Sequence, residues 1–87
     1  MNNARRKKVA EIAAQMESAQ SLLRHICDLL EEVKDEEEEA LNNMPESLQD
    51  SEKGCQMMEF VYAADDVWDD LYNLDIETMR DRLLEFV

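Results

Sequence analysis

The chain has 87 residues, 36% of them charged and 45% apolar, with a net charge of −13 and a pI near 4.2. That is one small domain, residues 1–87, too apolar for a solvated acidic tail. One glycine, one proline and many helix-forming residues exclude sheet-based enzymes and nucleotide-binding α/β folds and point to an all-α protein.

The charge is unevenly placed. Residues 1–27 hold five cations (Arg5, Arg6, Lys7, Lys8, Arg24) against Glu11 and Glu17, a net +3; residues 28–87 hold four cations against twenty acids, a net −16. From Val9 the apolar residues Ile12, Met16, Ala19, Leu23, Ile26, Leu30, Val33, Ala40 and Met44 alternate three and four apart, with Glu37 as an interruption. This heptad series predicts a long amphipathic helix from Ala4 to Asn43, its stripe widened by Leu22, Cys27, Leu29 and Leu41. Pro45 ends it, because the residue before a proline leaves the helical region and proline lacks an amide donor. A turn over 44–50 follows. Asp50 or Ser51 then caps a second helix over 51–73, with the stripe Gly54, Met57, Val61, Ala64, Trp68 and Leu71. After Leu71 the apolar pattern changes phase, so either a stutter rotates the stripe or Asp75 caps a short third helix over 75–86; Asn73 and Asp75 favour the break.

The expected architecture is a long antiparallel helical hairpin. A lone hairpin leaves part of a wide stripe wet, and a short segment folded back over it covers only a fraction of its length, so pairing into a bundle as a homodimer, or docking on another protein, is expected.

No catalytic constellation stands out. His25 has no second histidine at helical spacing, and no cofactor motif is present. No Glu-x-x-His pair or calcium loop suggests a metal, and His25 and Cys27 point apart around a helix. A non-enzymatic protein is expected. No apolar run of about 18 residues can span a bilayer and no signal-peptide core follows the start, which argues for a cytoplasmic chain with Cys27 and Cys55 as free thiols and no membrane partner.

The acidic runs carry the most information. Glu32, Asp35, Glu36 and Glu39 belong to a block that surrounds the first helix with charge, and Asp65, Asp66, Asp69 and Asp70 form i, i+4 pairs on the second. Their mutual repulsion weakens an isolated helix, so helix propensity does not account for them. Closely spaced carboxylates can imitate the phosphate track of a nucleic acid and attract a protein that binds DNA or RNA through basic grooves. A solvated acidic surface is the plainer explanation. The basic cluster Arg5–Lys8 is weak evidence for direct nucleic-acid binding, since the acidic body repels phosphate; pairing with Asp81 and Glu85, in cis or across a dimer, is the other use for it. Met57, Val61, Trp68 and Leu71 form the candidate helical interface of a structural, assembly or adaptor protein.

The segment from Glu36-Glu37-Glu38-Glu39-Ala40-Leu41-Asn42-Asn43-Met44-Pro45 through Ser51-Glu52-Lys53-Gly54, preceded by a basic start and a long amphipathic helix, resembles a group of small acidic proteins from phages and mobile elements of Gram-positive bacteria. The resemblance covers about the first two thirds of the chain and implies a helical hairpin without an assigned activity. The second helix departs from the group's repetitive Glu/Ala/Ile/Leu character, since Phe60, Tyr62, Trp68 and Tyr72 bring in aromatics. Small acidic phage proteins without catalytic residues often inhibit host defence, as anti-CRISPR and anti-restriction proteins do. By that analogy the expected function is inhibition of a host nuclease or defence complex through DNA-mimicking acidic helix faces.

Overall fold

The computed structural model describes residues 1–87 as four helices with no strand: α1 (Asn3–Asn42), α2 (Glu46–Gln49), α3 (Glu52–Tyr72) and α4 (Ile76–Leu84). The all-α hairpin expected from the sequence is the observed architecture, and the break after α3 is real.

Each boundary has a local cause. Asn2 caps α1 by accepting the Arg5 amide at 2.9 Å. Beyond the Asn43 cap, Pro45 starts a single helical turn, its carbonyl taking the amides of Leu48 and Gln49, and the Gln49 side chain donates back to the Met44 carbonyl at 2.9 Å. Ser51 caps α3 by accepting the Gly54 amide at 3.3 Å. Gly54 has an ordinary helical backbone; glycine is needed there because a Cβ would run into the carbonyl groups of Leu48 and Gln49. The α2 turn thus rests directly on the first turn of α3. At the other end Asp75 caps α4, accepting the Thr78 amide at 3.1 Å and its hydroxyl at 2.6 Å.

The fourth helix does not fold back over the hairpin. It continues the second arm along the N-terminal half of α1, where the Ile76 amide donates to Gln20 Oε1 at 3.1 Å and Arg80 pairs with Glu17 at 2.6 Å. At 1.5 Å per residue α1 is about 60 Å long, and α3 and α4 in succession cover it. The result is a rod of 68 × 14 × 14 Å with a Cα radius of gyration of 20.1 Å, against about 12 Å for a compact chain of this length. The non-helical residues 73–75 reset the rotation of the second arm, and this is why the apolar phase changes after Leu71.

The inward row of α1 differs from the expected one at every second position. Val9, Ala13, Met16, Gln20, Leu23, Cys27, Leu30, Lys34, Glu37, Leu41 and Met44 are buried or half-buried, alternating four and three apart. Ile12, Ala19, Ile26, Val33 and Ala40, read as the alternate members of the seam, are exposed. The shift of one residue has physical causes. Ala13 and Cys27 are small enough for close approach to the second arm, Gln20 serves the first amide of α4, and Lys34 reaches Asp65. On α3 the inward row is the expected one: Gly54, Val61 and Ala64 are buried, with Met57, Trp68 and Leu71 half-buried. Only eight of 87 residues are buried, so the interior is a thin seam rather than a core.

Gly54→Ala should cost about 3 kcal/mol in overpacking, because the Cβ meets backbone carbonyls of α2 that cannot swing aside, and return about 1 kcal/mol in helix propensity, a net loss of about 2 kcal/mol; urea unfolding followed by circular dichroism measures it. The Asp75 carboxyl is held below the usual aspartate range, first by the Thr78 hydroxyl, then by the Thr78 amide, with Arg24 adding a smaller attraction. Because its folded value is depressed, its contribution to α4 is complete above about pH 4 and is lost as pH falls through the folded value. Chemical shifts of α4 should therefore move toward coil at acid pH, and Asp75→Ser, which caps without titrating, should diminish the change.

Candidate acidic interface

Helical geometry sorts the exposed side chains into two flanks of the rod. Along α1, Glu17, Arg24, Glu31 and Glu38 recur every seven residues and form one ridge beside the inward row. Contacts show which part of the second arm shares that side. Arg24 lies over the Tyr72 ring at 4.4 Å and donates to the Tyr72 carbonyl at 3.4 Å, Arg80 reaches Glu17, and Glu31 lines a cleft with Asp65 and Asp69.

That cleft, about 180 Å³, lies between α1 and α3 and is lined by Leu30, Glu31, Lys34, Ala64, Asp65, Trp68 and Asp69. Lys34 emerges from the inward row and pairs with Asp65 at 3.0 Å and Asp35 at 3.6 Å. The hydrogen bond to Asp65 raises the lysine pKa against a smaller opposing effect of desolvation, and Asp65, Asp35 and Glu38 add attraction. Below the cleft the Trp68 and Tyr72 rings stack with centroids 4.7 Å apart and planes 11° apart. Trp68 Nε1 is buried without a hydrogen-bond partner. Lys34 is the single cation of the cleft, set among three carboxylates of its lining and the neighbouring Asp35.

The acids singled out in the sequence do not form one patch. Asp65 and Asp69 line the cleft, whereas Asp66 and Asp70 lie one residue further around α3, about 100° away, on its outer surface. On α1, Asp35 borders the cleft; Glu32 and Glu39 lie on the outer back of the helix, and Glu36 on the opposite flank. Glu31, Glu38 and Asp28 share the cleft side and were missed. The seven-residue relation of Glu31 and Glu38 to Glu17 and Arg24, and of Asp28 to Asp35, is the sequence signal that finds them, once the inward row is known.

Met57, Val61, Trp68 and Leu71, the candidate helical interface, face α1 of the same chain. Arg5, Arg6, Lys7 and Lys8 are exposed and form no ion pair; the expected pairing in cis with Asp81 and Glu85 is not made, and Asp81 pairs with Arg80 instead at 2.9 Å. His25 is exposed, Cys27 buried and Cys55 exposed, and no three His, Cys, Asp or Glu side chains converge to hold a metal ion. No helix is long and apolar enough to cross a membrane. No family model, no curated protein and no solved structure matches this chain.

Trp68→Ala should lower hairpin stability by about 2–3 kcal/mol, somewhat less than the loss of a fully buried tryptophan, as measured by urea unfolding. Unchanged stability would mean that the indole is not part of the α1–α3 seam.

Proposed function

We propose that this chain is a non-catalytic binding protein whose acidic flank docks on a basic surface built to receive a nucleic-acid backbone. One observation carries the reading: Asp28, Glu31, Asp35 and Glu38 of α1 and Asp65 and Asp69 of α3 share one side of a straight rod, with only Lys34 among them. Along α1 these carboxylates recur three and four residues apart, about 5 Å, and a second line runs beside them on α3. Two near-parallel rows of negative charge on a rigid body offer a Lys/Arg groove much of what a duplex offers it. The rigidity matters, since charges held in place by a helix need no ordering when the partner binds.

The resemblance to small acidic proteins of phages and mobile elements makes a host nuclease or defence complex the class of target, with inhibition by occupation of its nucleic-acid site. The reading moves the weight from the outward Asp66 and Asp70 to Glu31, Asp35, Glu38, Asp65 and Asp69. Asp66, Asp70, Glu32 and Glu39 contribute to the long-range field. The alternative, a structural or adaptor role, draws its support from the apolar flank on the other side of the rod.

The test is a pull-down from lysate of the native cell with the chain and with its Glu31→Lys/Asp35→Lys/Asp69→Lys variant. The expected result is capture of a nucleic-acid-binding protein that is released by duplex DNA and by raised salt, and no capture by the variant, whose helicity is retained. Capture that is insensitive to both DNA and charge reversal would contradict the proposal.

A further inference from the structure

We infer that the flank opposite the acidic one is the interface for a second copy of this chain, packed antiparallel about a two-fold axis across α1. The exposed residues there form a complete heptad row of their own. Ile12, Gln15, Ala19, Leu22, Ile26, Leu29, Val33, Glu36 and Ala40 alternate three and four apart, and Ile12, Leu22, Ile26, Leu29 and Val33 are each between 41 and 58% exposed. Two antiparallel helices place positions at the same offset from their mutual contact on the same side, so Phe60 and Val67 of α3, also exposed, extend this flank. Near the other end, Met79 and Phe86 of α4 border a shallow cleft with Met16. A continuous apolar strip of this kind is more than scattered surface hydrophobes on a monomer.

Charge selects the occupant and its direction. The same row begins with Arg5 and Lys8 and has Glu36 near its far end, and none of the three has an ion-pair partner in the chain. Within one straight helix Arg5 and Glu36 lie about 46 Å apart, so they cannot meet in cis. Parallel packing of two α1 helices would set Arg5 and Lys8 against themselves and Glu36 against Glu36. Antiparallel packing sets the basic end of each copy against the acidic end of the other, with the apolar residues from Ile12 to Val33 between. The patch is then self-complementary, as a two-fold interface requires.

Size agrees. A strip 14 Å wide along a 60 Å helix covers on the order of 800 Å², what each partner contributes to a standard interface. The need agrees as well, since a monomer with six buried apolar residues has little interior to hold it folded. The pair is a four-helix rod with its two acidic flanks facing outward on opposite sides, so this inference stands or falls separately from the proposed function.

Light scattering coupled to size exclusion should give twice the 10.2 kDa chain mass at micromolar concentration. Ile26→Glu/Leu29→Glu should give the monomer mass. Both side chains are exposed in the single chain, so the change leaves the hairpin seam intact. Should that variant lose its helicity, surface charges decide: Arg5→Glu/Lys8→Glu should raise the dimer dissociation constant at least tenfold, and adding Glu36→Lys should restore it. A monomeric wild type, a folded Ile26→Glu/Leu29→Glu variant that remains dimeric, or charge changes without effect on association would each overturn the inference.

Discussion

The structure depends on one constraint: a helix of 40 residues must be covered along its whole length by a second arm that does not consist of one continuous helix. α3 covers the half of α1 near the turn and α4 the half near the N-terminus. The joint between them is where the rod would otherwise part, and its stitches are specific. Gln20 takes the first amide of α4, Arg80 reaches back to Glu17, and Arg24 covers the Tyr72 ring and donates to the Tyr72 carbonyl at the end of α3. At the opposite end Gly54 lets the α2 turn close against α3. Between these fixed ends the seam is narrow, and its small members Ala13, Cys27, Gly54 and Ala64 allow the helices to approach.

A narrow seam leaves most of each helix surface free, and the chain has used the two flanks differently. One carries a ridge of carboxylates with Lys34 as the local counter-charge; the other carries isoleucine, leucine, valine and phenylalanine between a basic and an acidic end. The net charge of −13 is therefore not a uniform coat. Six of the carboxylates line one flank, whereas the opposite strip is uncharged from Ile12 to Val33. Both proposals follow from this division of a single rod.

Much of the fold was legible in the sequence. Pro45, Ser51, Asn73 and Asp75 mark boundaries through rules that act within a few residues, and the helix limits fall within a residue or two of those expected. The α3 row from Gly54 to Leu71 was legible because that helix has one clear small-and-apolar stripe. The α1 row was not, for a definite reason. Its two adjacent rows compete, and the more hydrophobic one, with Ile12, Ile26 and Val33, is the row left outside. The inward row contains Glu37 and also Gln20 and Lys34, and the value of the last two appears only when the second arm supplies Ile76 and Asp65 as partners. On α1 the same shift brings Glu31 and Glu38 beside the cleft; on α3, whose row is the expected one, Asp66 and Asp70 face outward because each lies one residue, about 100°, past the cleft-lining Asp65 and Asp69.

The central claim is thus the rotation of α1, and the two native cysteines report on it. Cys27 lies in the middle of the inward row at 2% exposure, while Cys55 is exposed at the start of α3. Thiol labelling with a small aromatic disulfide under native conditions should modify Cys55 rapidly and Cys27 only at the rate of unfolding. Rapid labelling of Cys27 in the folded chain would place it outside the seam and contradict the account.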